Sequence, residues 1–147
     1  MTNAWQDYHR RAATLRQTQQ RIERAADGVL PWDEAIADVF AGPDDLLRAL
    51  QQSWSQRLAA RVDMALELGG DPLDGVRTAV RETAARSPGL RRVLDGYADR
   101  PALRHPRQVE HRLLAVAAGL ASFAEPVVAA ERGASLVAGA QALSHAS

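Results

Sequence analysis

The stretch PDDLLRALQQSWSQRLAARVDMALELGG, residues 43–70, decides the fold class, because its apolar residues recur every three or four positions. This spacing places them on one face of an α-helix. The residues on that face are Leu47, Leu50, Trp54, Leu58, Val62 and Leu66. Pro43 suits the first helical position, and Gly69 with Gly70 is typical of a helix end. The stretch predicts a helix from about Pro43 to Leu68 that buries one face in a core.

The segment at the start of the chain shows the same spacing. Its apolar positions are Trp5, Tyr8, Ala12, Leu15, Ile22, Ala26 and Val29. Asn3 with Gln6 resembles a capping box, and Gly28 is placed to end the helix. We expect one helix of about 24 residues, ~36 Å long, which is typical of a bundle spine or a subunit contact. The segment PWDEAIADVF, residues 31–40, predicts a short second helix that Gly42 ends.

Further helix starts follow in the second half of the chain. The pairs Asp71–Pro72 and Ser87–Pro88 each predict a capped helix. No segment alternates apolar and polar residues as a half-buried strand does, and the 29 alanines favour helix. We therefore predict an all-α fold, a single-domain helical bundle over residues 1–147 with six to seven helices and a long N-terminal helix.

Three prolines divide the last part of the chain. After Pro101 we expect a loop, ALRH, before Pro106 opens the next helix. Pro126 either kinks this helix or starts a last helix that reaches about Leu143, and the sequence leaves both alternatives open.

The composition removes several kinds of chemistry. The 147 residues include no Cys and no Lys, 18 Arg and four His. The absence of Cys excludes a disulfide scaffold, an iron–sulfur cluster, a thiolate zinc site and a cysteine nucleophile. Neither Glu-x-x-His, nor His-Glu-x-x-His, nor Gly-x-Ser-x-Gly occurs. We expect no catalytic residues, no metal and no cofactor, and the balance favours a non-enzymatic protein. Arginine without lysine is typical of a GC-rich bacterial genome.

The location of the protein is predicted from two segments. The sequence MTNAWQDYHRR at the N-terminus lacks the apolar core of a signal peptide, so we expect a cytoplasmic protein. Between Leu113 and Ala130 only Glu125 is charged, but Pro126 interrupts the stretch and its small residues make it weakly apolar. This stretch predicts a buried helix and no membrane contact.

Charge is unevenly distributed along a chain whose net charge is zero. No positively charged residue occurs in the acidic segment from Asp27 to Asp45. By contrast, the segment from Arg86 to Arg107 contains six arginines and His105. The basic region is a candidate site for a small anionic ligand, because arginine binds phosphate and carboxylate in a bidentate manner. Alternatively, the two regions complement one another within or between subunits, or are solvated. Zero net charge argues against a DNA-binding surface.

A candidate pocket lies beside the apolar face of the 43–68 helix. Arg57 and Arg61 continue along nearly the same face as Trp54, and such a polar edge could line a pocket or could be only the edge of the apolar stripe. The candidate ligand-binding residues are Trp54, Arg57, Arg61, Tyr97, Arg100, Arg104, His105, Arg107 and His111. The other aromatic residues of the helices, Trp5, Tyr8 and Phe123, predict core packing.

The C-terminal helices carry a pattern of small residues that lets helix backbones approach closely. The positions are Ala115, Ala118, Gly119 and Ser122, followed by Ala130, Ala134, Ala138 and Ala142. The pattern favours a contact between subunits, with an internal contact as the alternative. We therefore expect a homodimer that acts through protein contact or binds a small molecule. One alternative is a small enzyme or resistance-type binding protein with a pocket near Trp54 and His111 and an anion site lined by arginine. The other is a nucleic-acid-associated regulator.

The run VFAGPDDLLRALQQSWSQRLAARVDMALELGGDPLDGVRTAV, residues 39–80, resembles the connecting helix and the start of the regulatory domain of TetR-type regulators. In that family a Phe-containing turn precedes a Leu-rich helix, an Asp-Pro loop and the helices of a ligand pocket and dimer. The chain departs from the family upstream, where one long helix and an acidic short one replace the basic DNA-binding head. The resemblance implies a ligand-binding or dimerising module without DNA readout.

Overall fold

The computed structural model describes residues 3–145, with side chains up to residue 142, and every regular element in this part of the chain is a helix. The helices are α1 (Ala4–Ala25), α2 (Glu34–Ala37), α3 (Pro43–Glu67), α4 (Pro72–Arg86), α5 (Pro88–Gly96), α6 (Pro101–Ala117) and α7 (Pro126–His145). The predictions of an all-α fold, of six to seven helices and of a long N-terminal helix are confirmed.

The chain forms two compact units. The first comprises the residues up to Ser53 together with Ser87–Arg104, and α1 packs against α5 within it. The second comprises Trp54–Arg86 and the residues from His105 onward, and α4 packs against α7 within it. The single domain expected over residues 1–147 stays a prediction.

Each unit has its own buried apolar side chains. Those of the first unit are Ile22, Ile36, Phe40, Leu46, Leu47, Leu50, Leu90, Val93, Leu94 and Leu103. The core cluster of the second unit consists of Leu58, Val62, Val76, Ala79, Val80, Leu114, Ala118, Leu136 and Ala140. Burying a side chain of the size of Leu contributes roughly 1.5–3 kcal/mol, so these residues supply the main stabilisation of both units. The predicted face of α3 is buried from Leu47 to Val62, whereas Leu66 is exposed.

Three aromatic residues expected in the core are exposed. Trp5, Tyr8 and Phe123 keep 66%, 69% and 67% of their surface accessible. The buried residues of α1 are Thr18 and Ile22, so the first turns of this helix have no buried side chain. Phe123 lies in the turn between α6 and α7. Helical periodicity identifies which residues share a face, but it does not indicate how far along the helix that face is covered.

The end of α1 differs from the prediction. Asn3 caps the helix as expected, because its side chain accepts a hydrogen bond from the Trp5 amide at 3.1 Å. The helix ends at Ala25 and is capped by Ala26, which adopts a left-handed conformation with φ 49°, so Gly28 does not end it. Arg92 of α5 donates a hydrogen bond to the Ala26 carbonyl. Arg92 is distant in sequence, so a prediction based on the nearby glycine could not include this hydrogen bond.

The start of α5 is capped by α1. The helix begins at Pro88 as predicted, but the Ser87 side chain forms no cap hydrogen bond. Instead, the Glu23 carboxylate accepts hydrogen bonds from the amides of Gly89, at 2.9 Å, and Leu90, at 2.7 Å. A Cβ atom on Gly89 would lie 2.7 Å from the Ile22 carbonyl oxygen, so glycine permits this close approach of α1 and α5.

The structure differs from the prediction at the first of the three prolines in the last part of the chain, Pro101. α6 begins at Pro101, and Pro106 lies inside it, so no loop separates the two residues. A proline this close to the helix start removes one backbone hydrogen bond, and the helix tolerates it. Pro126 starts α7, which resolves the two alternatives in favour of a separate helix.

Between α6 and α7 the chain makes a helix-ending turn. Gly119 has φ 75°. Its amide donates a hydrogen bond to the Val116 carbonyl, and the Leu120 amide donates one to the Ala115 carbonyl. This pair of bonds is a Schellman motif, in which glycine adopts the left-handed position. The stretch from Leu113 to Ala130 is therefore two helix ends and a turn, and not the one buried helix that we expected. Among the described residues, no helix is both long and apolar enough to cross a membrane.

Candidate functional site

The second unit contains an apolar groove between α3 and α6. Its volume is about 360 Å³. The described residues that line it are Ser55, Leu58, Ala59, Val62, Asp63, Pro106, Val109, Glu110, Leu113, Leu114, Val116, Ala117 and Phe123. We call this the α3–α6 groove.

Helical spacing explains why these residues share one groove. The α3 residues lie at positions 55, 58, 59, 62 and 63, and the α6 residues at 106, 109, 110, 113, 114, 116 and 117. Both sets recur every three to four positions, which places each on one helix face. Leu58 and Leu114 are buried at 2% and 4% exposure, whereas Leu113 and Phe123 are 52% and 67% exposed. The groove thus has a buried apolar floor and an exposed apolar edge.

A carboxylate interrupts the apolar wall. Glu110 is only 9% exposed, and its Oε1 accepts a hydrogen bond from the Ser55 hydroxyl at 2.7 Å. Burying a charged group in an apolar setting is costly unless other groups bind it. Ser55 lines the α3 side of the groove and Glu110 lines the α6 side, so their hydrogen bond joins the two helices.

The groove is acidic. Glu110 and the exposed Asp63 contribute carboxylates, and none of the described lining residues is basic. The nearby arginine of α3, Arg61, is turned to α4, where its Nη1 lies 3.1 Å from an oxygen of Glu82. The ionisable side chains that line the groove are therefore both acidic.

A smaller groove of about 190 Å³ adjoins the first one. Val109, Leu113 and Phe123 line both, and Arg112, Pro126 and Ala129 complete the smaller groove. The shared residues include Leu113 and Phe123 of the exposed edge, so an apolar surface continues from the α3–α6 groove towards the start of α7.

The candidate ligand-binding residues of the second unit lie beside the groove and do not line it. Trp54 belongs to the buried residues, at 2% exposure. Arg57 and His105 are exposed. Two further candidates, Arg107 and His111, are partly buried. These residues are on α3 and α6, but at positions neighbouring those that face the groove.

The candidates of the first unit form an interaction of their own. The Tyr97 hydroxyl accepts a hydrogen bond from the Leu30 amide at 3.3 Å. The Arg100 guanidinium lies 5.6 Å from the centre of the Tyr97 ring and 3.6 Å from a carboxylate oxygen of Asp44. Arg104 is exposed. The Asp44–Arg100 pair joins the acidic and the basic region of the sequence within one unit. It is a contact of the kind expected if the two regions complement one another.

Arginines of α1 bind other carboxylates of the acidic region. Arg21 lies 2.7 Å from Asp33, and Arg11 lies 3.0 Å from Asp45. The pKa of Asp33 is lowered, first by the hydrogen bond from the Ile36 amide and then by the one from Arg21. Asp33 and Asp45 of the acidic segment are therefore paired with arginines of α1, and spacing along the sequence does not reveal these contacts.

Glu110 and Ser55 are absent from the site residues predicted from the sequence. A signal was present, because Glu110 interrupts the apolar face of α6 next to Val109 and Leu114. The predicted site was based on the arginines because they dominate the charge pattern of the sequence. In the structure, however, Arg61 and Arg100 form ion pairs outside the groove.

Metal-binding geometry and similarity to known proteins add no further assignment. Among residues 3–145, no group of three or more His, Asp and Glu side chains could hold a metal ion. No protein-family model matches the chain, and no curated protein or solved structure is significantly similar to it. The resemblance to TetR-type regulators stays a prediction.

Proposed function

We propose that the protein binds a small, mainly apolar molecule in the α3–α6 groove. The observation that carries the proposal is a groove of about 360 Å³ whose lining is apolar except for three polar residues, Ser55, Asp63 and Glu110. Binding sites for small molecules commonly have volumes of roughly 300–1,000 Å³, apolar walls and a few placed polar groups.

The exposed edge of the groove supports the proposal energetically. Leu113 and Phe123 present apolar surface to water. A ligand that covers this surface gains roughly 25 cal/mol for each Å² removed from water. Binding of an apolar molecule there would therefore remove the apolar surface of Leu113 and Phe123 from water.

The test is to fill the groove. N-phenyl-1-naphthylamine is neutral and fluoresces strongly in apolar surroundings, and it can be excited beyond the tryptophan absorption band. We expect saturable binding to the wild-type protein. In Ala59→Trp, an indole on the α3 wall should weaken binding at least about tenfold, which corresponds to a loss of about 1.4 kcal/mol.

The matched control is Ala60→Trp, at the next position of the same helix. Ala60 is exposed and does not line the groove. This variant should bind the dye within about twofold of wild type, because a twofold change is only about 0.4 kcal/mol. Equal affinity of the Ala59→Trp variant and wild type would contradict the proposal.

Self-association through α7 is a second candidate function. Of the small residues predicted to form a subunit contact, Ala134, Ala138 and Ala142 are exposed. A strip of this kind lets a second helix approach closely. Ala115 and Ala118 are instead buried inside the second unit, so the strip relevant to a dimer is the one on α7.

A further inference from the structure

A different groove of the second unit lies between α4 and α7. Its volume is about 420 Å³, within the range of roughly 300–1,000 Å³ that is common for binding sites of small molecules. Its apolar side chains are Leu73 of α4, Leu120 of the turn after α6 and Leu136 of α7. Leu136 belongs to the core cluster of the unit, and the other two leucines pack against that cluster. We call this the α4–α7 groove, and its apolar part therefore continues the core.

Two arginines line the groove from different helices, Arg77 from α4 and Arg132 from α7. Arg132 donates a hydrogen bond from Nη1 to the Leu120 carbonyl, which ties its side chain to the turn. A guanidinium has five N–H donors, so this bond leaves others of Arg132 for a ligand. The guanidinium of Arg77 is partly buried and forms no hydrogen bond or ion pair with any residue that the structure describes. Its positive charge and its donors are therefore available in the groove.

Positive charge exceeds negative charge in the lining. The ionisable side chains there are the two arginines and the exposed Glu131. In the described part of the chain, Glu131 forms an ion pair with neither arginine. Because an exposed carboxylate is screened by water and salt, Glu131 reduces but does not cancel the attraction of an anion to Arg77. Ser135 lies one helical turn after Arg132, and its hydroxyl adds a neutral donor.

We propose that the α4–α7 groove binds a small carboxylate that carries an apolar group. The carboxylate accepts two hydrogen bonds from the guanidinium of Arg77 and a further one from Arg132, since arginine matches the geometry of a carboxylate. The apolar group covers Leu73 and Leu136. No described residue lines both this groove and the α3–α6 groove, so the inference goes beyond the proposed function and does not depend on it. It also assigns an anionic ligand to arginines outside the basic segment of residues 86–107.

The experiment compares 4-phenylbutyrate with 4-phenylbutanamide, which share one carbon skeleton and differ in charge. Each is titrated at neutral pH into the isotope-labelled full chain, and binding is followed by the NMR chemical shifts of the backbone amides. The carboxylate should bind about tenfold more tightly than the amide, because its hydrogen bonds to arginine are charge-assisted. The largest shifts should fall at residues 73–77 and 131–136. This comparison on the wild-type protein decides the proposal even if a variant fails to fold.

Two variants identify the residue responsible. In Arg77→Gln, the affinity for 4-phenylbutyrate should fall to within about twofold of that for 4-phenylbutanamide, while binding of the amide is retained. The matched control is Arg86→Gln, which removes the same charge from an exposed position of the same helix. Arg86 does not line the groove, so this variant should keep the full preference for the carboxylate. The NMR spectrum itself confirms that each variant is folded.

Several results would overturn the proposal. Equal binding of the two probes to the wild-type protein, or no binding of either, would show that the groove does not select a carboxylate. Shifts confined to the residues that line the α3–α6 groove would place the ligand there and not between α4 and α7. A preference for the carboxylate that persists in folded Arg77→Gln, or that is lost equally in Arg86→Gln, would overturn the role of Arg77.

Discussion

Asp45 is held in the ionised state by groups from three parts of the first unit. Arg11 of α1 donates two hydrogen bonds, at 3.0 and 3.1 Å, one to each carboxylate oxygen. The Ala41 amide donates a third, at 3.0 Å. These bonds lower the pKa of Asp45, with the Arg11 bond the largest cause, the Ala41 amide next and the charge of Arg48 a small one. The Arg11 guanidinium also lies 4.4 Å from the centre of the Phe40 ring.

This lowered pKa predicts a pH dependence of stability. Because the pKa of Asp45 is lower in the folded than in the unfolded chain, its contribution is complete above the ordinary value of about 4. The contribution is lost as pH falls from there through the folded-state pKa. Asp45→Asn should therefore destabilise the protein by about 0.5–1 kcal/mol at neutral pH, a partly exposed pair being worth no more than this.

Urea unfolding at neutral pH and at about pH 3 measures this effect. The difference in unfolding free energy between wild type and Asp45→Asn should shrink at the lower pH. Asp99→Asn, a substitution at an exposed position, serves as the control and should show no comparable difference. A difference for Asp45→Asn that is equal at both pH values would refute a role of the ionised carboxylate.

At the scale of helices, the starts were more predictable than the ends. Pro43, Pro72 and Pro88 begin helices where the sequence pattern predicts them, because proline at the first helical position needs no amide partner. Ala26, which caps the end of α1, accepts a hydrogen bond from Arg92 of α5. Similarly, the cap of α5 comes from Glu23 of α1. Such contacts join residues more than 60 positions apart, so no local pattern can contain them.

The packing of α7 within the second unit depends on a glycine. A Cβ atom on Gly133 would overlap with the backbone carbonyl of His111 on α6. Gly133→Ala should therefore force the two helices apart and cost about 2–3 kcal/mol. By contrast, a Cβ atom on Gly139 of the same helix would meet no described atom of another segment within 4 Å. Gly139→Ala should instead stabilise the protein by about 0.5–1 kcal/mol, because alanine is the better helix former.

Thermal and urea unfolding of both variants test this contrast. The two substitutions are chemically identical and lie on one helix, so differences in helix propensity cancel between them. Equal unfolding free energies of Gly133→Ala and Gly139→Ala would contradict the close approach of α7 to α6 at Gly133.

At the scale of the whole molecule, composition and periodicity predict the helical architecture but not the candidate site. The α3–α6 groove exists because the faces of two helices distant in sequence meet, and periodicity defines each face without indicating its neighbour. Arg61 illustrates the difference. It shares a helix with the lining residues Leu58 and Val62, but it binds Glu82 of α4. A rotation of about 100° between adjacent helical positions separates a residue that lines the groove from one that pairs elsewhere.

The oligomeric state of the protein should depend on the exposed face of α7. A strip of small exposed residues there, represented by Ala138, would allow a second copy to approach closely, so the expected homodimer should form through this face. A bulky charge would both block the approach and have to be buried on dimerisation, which is costly without a partner. In sedimentation experiments at tens of micromolar, wild type should be a dimer and Ala138→Arg a monomer. Ala60→Arg, at an exposed position of α3, should remain a dimer. Monomeric wild type at that concentration would contradict self-association, and a dimeric Ala138→Arg variant would move the interface away from α7.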